Sequence, residues 1–64
     1  PVGMAEYARI IVALERGEVG RVLGEMDLEL ADLMRLQRVW TRRTSSSAEV
    51  HAALQAAIEA ARDG

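Results

Sequence analysis

Few residues of this chain could do acid–base or metal chemistry. There is one histidine, His51, and there is no cysteine. A zinc site takes three or four protein ligands, and no second His or Cys lies three or four residues from His51. The glycines of "GEVGRVLGE" match neither the Rossmann nor the P-loop spacing, and they follow no predicted strand. The sequence therefore predicts no enzyme, no catalytic residue, no bound metal and no cofactor.

The carboxylates are explained by helix electrostatics. Glu25, Asp27, Glu29 and Asp32 crowd the start of one predicted helix, where anions are favoured by the helix dipole. Their spacing is not that of an EF-hand loop. Asp32 precedes Arg35 by three residues, so the two side chains are predicted to pair across one helical turn.

The arginines are the remaining candidates for function. Arg35, Arg38 and Arg42 recur at i, i+3 and i+7 and form one stripe, which Arg43 continues near the helix end. The stripe is either a solvated, salt-bridged face or a surface that contacts a partner, because arginine is enriched at interface hot spots. These four arginines are our candidate partner-contact residues. Trp40 is predicted on the opposite, buried side of the same helix, because so short a chain has little other aromatic area to bury.

The elements that position these residues are helices. Apolar residues recur with the helical period, and no segment alternates with period two. The pattern predicts helices at residues 4–16, 18–26, 28–43 and 47–63, the second of them short. The predicted buried stripe of the first helix consists of Tyr7, Ile10, Ile11 and Leu14. Ala13 is predicted on its outer side, and Gly17 follows as a left-handed cap.

The third helix is predicted to be the centre of the fold. Its broad apolar arc consists of Leu30, Leu33, Met34, Leu36 and Trp40. Leu28 and Val39 lie on a separate apolar strip, and two apolar faces predict two sets of neighbours. We take Trp40, Leu36 and Leu33, together with Tyr7 of the first helix, as the core anchors.

Two capping signals mark the later helix starts. Asp27 is predicted to cap the third helix. Ser46, Ser47, Ala48 and Glu49 match the S-x-x-E capping box and predict the start of the fourth helix. The fold class that follows is all-α: a small antiparallel bundle of three main helices and one short linking helix.

The composition allows one domain, residues 1–64, with residues 1–3 as a linker or a short remnant of added sequence. Pro1 is placed outside any element. A chain of this length removes only about 60% of its unfolded surface on folding, and without cysteine it has no disulfide. We therefore expect the chain to gain additional stability by self-association or by docking onto a larger protein. The net charge of −2 gives no overall attraction to nucleic acid. No apolar run is long enough to span a bilayer, so we predict no membrane partner and a cytoplasmic location.

The chain resembles small helical modules that are attached to larger bacterial proteins, some of them linked to type VI secretion. The resemblance lies in a Tyr in the first helix, a Leu before the short turn and a Leu-Gln-x-x-Trp-x-x-Arg stretch before an Ala/Arg-rich last helix. The matching residues are Tyr7, Leu23, Leu36, Gln37, Trp40 and Arg43. It implies an appended adaptor without enzymatic activity.

The sequence therefore predicts a non-enzymatic protein-interaction module, either self-associating as a homodimer or serving as an adaptor or targeting piece. The alternative is a small dimeric nucleic-acid-binding regulator or antitoxin that uses the arginine stripe. A third interpretation is a structural element of a larger domain.

Overall fold

The computed structural model describes residues 2–64, which form four helices and no strand. The helices are α1 Met4–Glu15, α2 Val19–Glu25, α3 Leu30–Ser46 and α4 Ala48–Asp63. The predicted all-α fold, with three main helices and one short one, is confirmed. Pro1 lies outside the described residues. None of these four helices combines the length and the apolarity that crossing a bilayer requires.

α1 contributes five buried side chains and each of the other three helices contributes two, so α1, and not the predicted third helix, is at the centre of the bundle. α1 packs extensively on α4 and on α2, and its Tyr7 ring stacks on the Trp40 ring of α3 with the ring centroids 5.4 Å apart. The placement of Leu14 and Ala13 is also wrong, since Leu14 is 39% exposed and Ala13 only 4%. Ala8 and Ala13 are both buried in the core, so the side of α1 that faces the other helices includes small residues that the apolar pattern did not select.

α3 has one covered face. Leu33 and Trp40 are buried and Leu36 is partly buried, whereas Leu30, Met34 and Val39 are exposed. The predicted arc was therefore too wide, and no second set of neighbours covers Val39. The apolar pattern included the residues of α3 that face inward. It also included Leu30, Met34 and Val39, over which nothing is packed.

Two groups of buried side chains form the core. The first group consists of Tyr7, Ala8, Val12, Trp40, Leu54 and Ile58. The second consists of Ile10, Ala13, Val22, Leu23 and Leu33. Leu36 packs against both groups and connects them. Val2 packs against the first group, so the chain ahead of α1 contributes to the core.

The turn between α2 and α3 contradicts the predicted role of Asp27. Asp27 has a φ of 57°, and the next residue, Leu28, donates its N–H to the Leu23 carbonyl at 2.8 Å. Asp27 therefore closes α2 in the left-handed conformation. The residue that precedes α3 is Glu29, whose N–H donates to Oδ2 of Asp32 at 2.8 Å. Asp27 does not cap α3 because it lies in the left-handed turn after α2, two residues before Glu29, the residue at the N-cap position of α3.

The break between α3 and α4 occurs one residue later than the capping box predicts. Ser46 still belongs to α3, and Ser47 alone separates the two helices. The Ser47 hydroxyl accepts a hydrogen bond from the Val50 N–H at 3.2 Å, so the predicted pairing of Ser46 with Glu49 is wrong. Trp40 and Leu54 belong to the same core group, so α3 and α4, which one residue joins, pack against each other.

The last turns of α1 and α4 lie side by side. Arg62 donates to Glu15 at 2.6 Å, and Arg16 donates from Nη2 to the Arg62 carbonyl at 2.9 Å. The carbonyls of a last helical turn have no partner within the helix, so Arg16 satisfies one for α4 from a different helix. These contacts join the C-terminal ends of α1 and α4.

Substitution of alanine for two of the glycines is expected to change the free energy of unfolding in opposite directions. Gly17 has a φ of 72°, where an L side chain is strained, so Gly17→Ala is expected to lower the free energy of unfolding by about 1 kcal/mol. Gly20 lies within α2 with no atom near the position of an added Cβ, so Gly20→Ala is expected to raise it by about 1 kcal/mol. Urea titrations of both variants at one protein concentration measure the two effects. Changes of the same sign would contradict this account of the turn.

Candidate interaction surface

The surface that distinguishes this molecule is a row of side chains along the outside of α3. Leu30, Met34, Arg38 and Arg42 follow one another at intervals of four residues, and such a row forms a continuous ridge on a helix. We call these four residues the α3 ridge. Its first half is apolar and its second half is basic. Leu30 is 65% and Met34 is 58% exposed, so both aliphatic side chains face solvent on neighbouring turns.

The ridge contains two of the four predicted contact arginines, and all four arginines are exposed. Arg35 pairs with Asp32, as the sequence predicts. Arg43 lies over the Trp40 ring, with its guanidinium carbon 4.3 Å from the ring centroid. Neither Arg38 nor Arg42 takes part in a salt bridge within residues 2–64. The arginines available to a partner are therefore Arg38 and Arg42.

The sequence pattern did not predict the position of Arg43 over the Trp40 ring. Its guanidinium covers an indole that is itself stacked on Tyr7, so three side chains form one layer at the edge of the core. A cation over the face of a Trp ring is attracted by the ring quadrupole, by about 0.5–1 kcal/mol at an exposed site. The spacing of three residues between Trp40 and Arg43 on one helix was the available signal.

The predicted core anchors lie beneath the ridge. Tyr7, Leu33 and Trp40 are buried, and Leu36 is partly buried between the two core groups. Burial raises the pKa of the Tyr7 hydroxyl. These residues pack the inner side of α3 against the core, so the α3 ridge lies on a helix whose opposite side is buried.

Two exposed acidic side chains lie in the turn before α3. Asp27 and Glu29 precede α3 and are exposed, and neither forms a salt bridge within residues 2–64. Asp32, by contrast, is engaged: the Glu29 N–H and then the Arg35 guanidinium hold its pKa below the usual range. In chain order, the acidic turn residues come first, the apolar half of the α3 ridge next and its basic half last.

Comparison with family models, with curated proteins and with solved structures finds no match to this chain. A function must therefore be inferred from the side chains themselves.

Two grooves are well defined among residues 2–64, and neither gathers catalytic groups. One, of ≈ 190 Å³, is lined by three arginines, Arg9, Arg16 and Arg21, beside Glu25. Arg9 pairs with Glu25 at 3.6 Å and Arg21 with Glu18 at 3.2 Å, while Arg16 is bound to the end of α4. The other groove, of ≈ 290 Å³, runs along the far side of α3 and is mostly apolar. Its lining consists of Val2, Leu28, Asp32, Arg35, Leu36 and Val39.

The only histidine is isolated. His51 is exposed on α4, and no group of three His, Cys, Asp or Glu side chains within residues 2–64 is placed to hold a metal ion.

At the other end of α4, the Arg62 guanidinium lowers the pKa of Glu15. A depressed carboxyl pKa means that this ion pair contributes to stability above the ordinary Glu pKa and is lost as the pH falls through the lower, folded value. That pair is structural.

Proposed function

We propose that this chain is a non-enzymatic protein-interaction module that self-associates through the α3 ridge. The observation that supports the proposal is the exposure of Leu30 and Met34 on consecutive turns, next to two arginines that form no salt bridge within residues 2–64. Three of the four exposed large apolar side chains described are on α3. A helix face that presents apolar and Arg side chains together has the composition of a protein interface.

The expected affinity is modest. A symmetric pair covers four aliphatic side chains, which contributes on the order of 4–6 kcal/mol. The loss of translational and rotational freedom opposes association by about 4–15 kcal/mol. Charge pairs and the surrounding contacts must supply the difference, so we expect a dimer that forms between about ten micromolar and one millimolar protein.

The resemblance to modules attached to larger bacterial proteins extends this proposal. A module of this kind would act as an adaptor, because pairing of two copies joins the two larger proteins that carry them. A linked pair of weak sites gains in overall affinity through effective concentration, so modest pairing suffices. In this proposal the protein has its role in the bacterial cytoplasm.

The proposal is tested by sedimentation. At high micromolar concentration we expect a species of twice the 7.0 kDa chain mass, and Met34→Glu should return the protein to the monomer because it places a charge in the apolar contact. The matched control is Ala56→Glu, which adds the same charge at an exposed position of α4 and should leave the dimer intact. A monomer of the parent chain at every concentration would refute self-association.

Nucleic-acid binding is the second candidate, and it is favoured by Arg38 and Arg42 alone. Two phosphate contacts give a slope of about −1.8 in log K against log salt, and the net charge of −2 works against association. A salt titration with duplex DNA tests it, and the absence of binding at low salt would eliminate it.

A further inference from the structure

We infer that two copies of the chain pair antiparallel along α3, with Leu30 of one copy against Met34 of the other. This inference rests on the proposed self-association and adds its geometry. The two residues are one turn apart, so an antiparallel pair brings the two Leu30 and two Met34 side chains into one apolar cluster. The two-fold axis then crosses α3 near the level of residue 32.

Charge complementarity selects the antiparallel arrangement. Arg38 and Arg42 lie towards the C-terminal end of α3, whereas Asp27 and Glu29 lie ahead of its first turn. In an antiparallel pair the basic half of each ridge extends past the apolar cluster towards the acidic turn of the partner copy. None of these four side chains has an ion-pair partner among residues 2–64 of its own chain.

A parallel pair would have the opposite electrostatics. Equivalent residues would meet, so each Arg38 would face Arg38 of the partner copy and each Arg42 would face its own equivalent. Like charges placed directly opposite one another disfavour a pairing and suppress wrong arrangements. The separation of charge along α3 thus makes the surface self-complementary in one direction only.

Single cysteines test the direction, because the chain has no cysteine of its own. In the antiparallel pair the two copies of residue 34 are about 6 Å apart along the helix axis, and the two copies of residue 41 are about 27 Å apart. With a short bifunctional maleimide, we expect Met34→Cys to form a covalent dimer and Thr41→Cys to remain uncrosslinked. Thr41 is exposed on the same side of α3, which makes it the matched position.

The outcomes distinguish the proposed self-association from the antiparallel arrangement of the two copies. A parallel dimer would crosslink at both positions and would overturn the antiparallel inference while leaving self-association intact. A dimer in sedimentation that crosslinks at neither position would overturn the use of the ridge. A chain that sediments only as a monomer would overturn both proposals.

A charge reversal gives an independent measurement. Arg38→Glu should weaken the antiparallel dimer on the order of tenfold, because it places a carboxylate against the partner's acidic turn. In a parallel dimer the same substitution exchanges one like-charge contact for another and would leave the dissociation constant nearly unchanged. Circular dichroism of Arg38→Glu checks that the helices persist, as expected for an exposed residue. An unchanged dissociation constant in a folded variant would overturn the antiparallel arrangement.

Discussion

Trp40→Ala is expected to leave the chain largely unfolded at room temperature. The Trp40 side chain is 4% exposed, is stacked on Tyr7 and is covered by Arg43. Truncation of such a residue to alanine lowers the free energy of unfolding by about 3–5 kcal/mol. In a chain this short a single hydrophobic core rarely supplies more than about 3–5 kcal/mol, so the loss is about as large as the total. Far-UV circular dichroism and urea titration at one fixed protein concentration should show loss of helix and of the cooperative transition.

Two further variants identify the cause of the loss. Gln37→Ala alters an exposed side chain less than one turn earlier on α3 and should change stability by less than about 0.5 kcal/mol. Trp40→Phe keeps an aromatic ring beside Tyr7 and should retain a cooperative transition at a lower urea concentration. If Trp40→Ala unfolded at the same urea concentration as the parent chain, the Tyr7, Trp40 and Arg43 layer would not support the bundle.

The helices themselves could be predicted from the sequence because local signals determine them. The 3.6-residue period identified four helices, and Gly17 marked the end of the first one through its need for positive φ. The ends of the helices were harder to predict where one residue type suits two different positions. Asp27 is a good N-cap residue type, but it also tolerates the left-handed conformation, and the tight turn after α2 uses the second property.

The arrangement of the helices could not be read from the period. Periodicity identifies an apolar face but does not say whether another helix is available to cover it. Leu30 and Met34 belong to the same apolar arc as Leu33 on a helical projection, yet only Leu33 is covered. Conversely, Ala8 has a small side chain that the apolar pattern did not select, yet it is fully buried in the first core group.

Only the basic part of the candidate interaction surface could be predicted from the sequence. Regular spacing located the arginine stripe, and the three-residue interval predicted the pairing of Arg35 with Asp32. The stripe did not reveal that Arg43 is held by Trp40, because a cation near a helix end has several competing partners. It also did not reveal the apolar half of the α3 ridge, since the sequence placed Leu30 and Met34 in the core.

Two neighbouring isoleucines of α1 provide the sharpest test of the packing. The sequence treats Ile10 and Ile11 alike, as members of one buried stripe. In the fold, Ile10 is the largest side chain that is fully enclosed, in the group that α1 shares with α2 and α3. Ile11 is only partly buried, against the other group.

We therefore expect Ile10→Ala to lower the free energy of unfolding by about 3–4 kcal/mol and Ile11→Ala by roughly 1–2 kcal/mol. The enclosed site loses more because the atoms around it cannot all relax into the cavity, whereas solvent reaches the partly exposed one. The two substitutions remove the same atoms one residue apart, so helix propensity cancels in their comparison. Urea titrations should be made at one protein concentration, because a chain that self-associates gains stability with concentration. Equal losses at the two positions would mean that Ile10 is no more enclosed than Ile11, and the tight packing of α1 against α2 and α3 around Ile10 would be wrong.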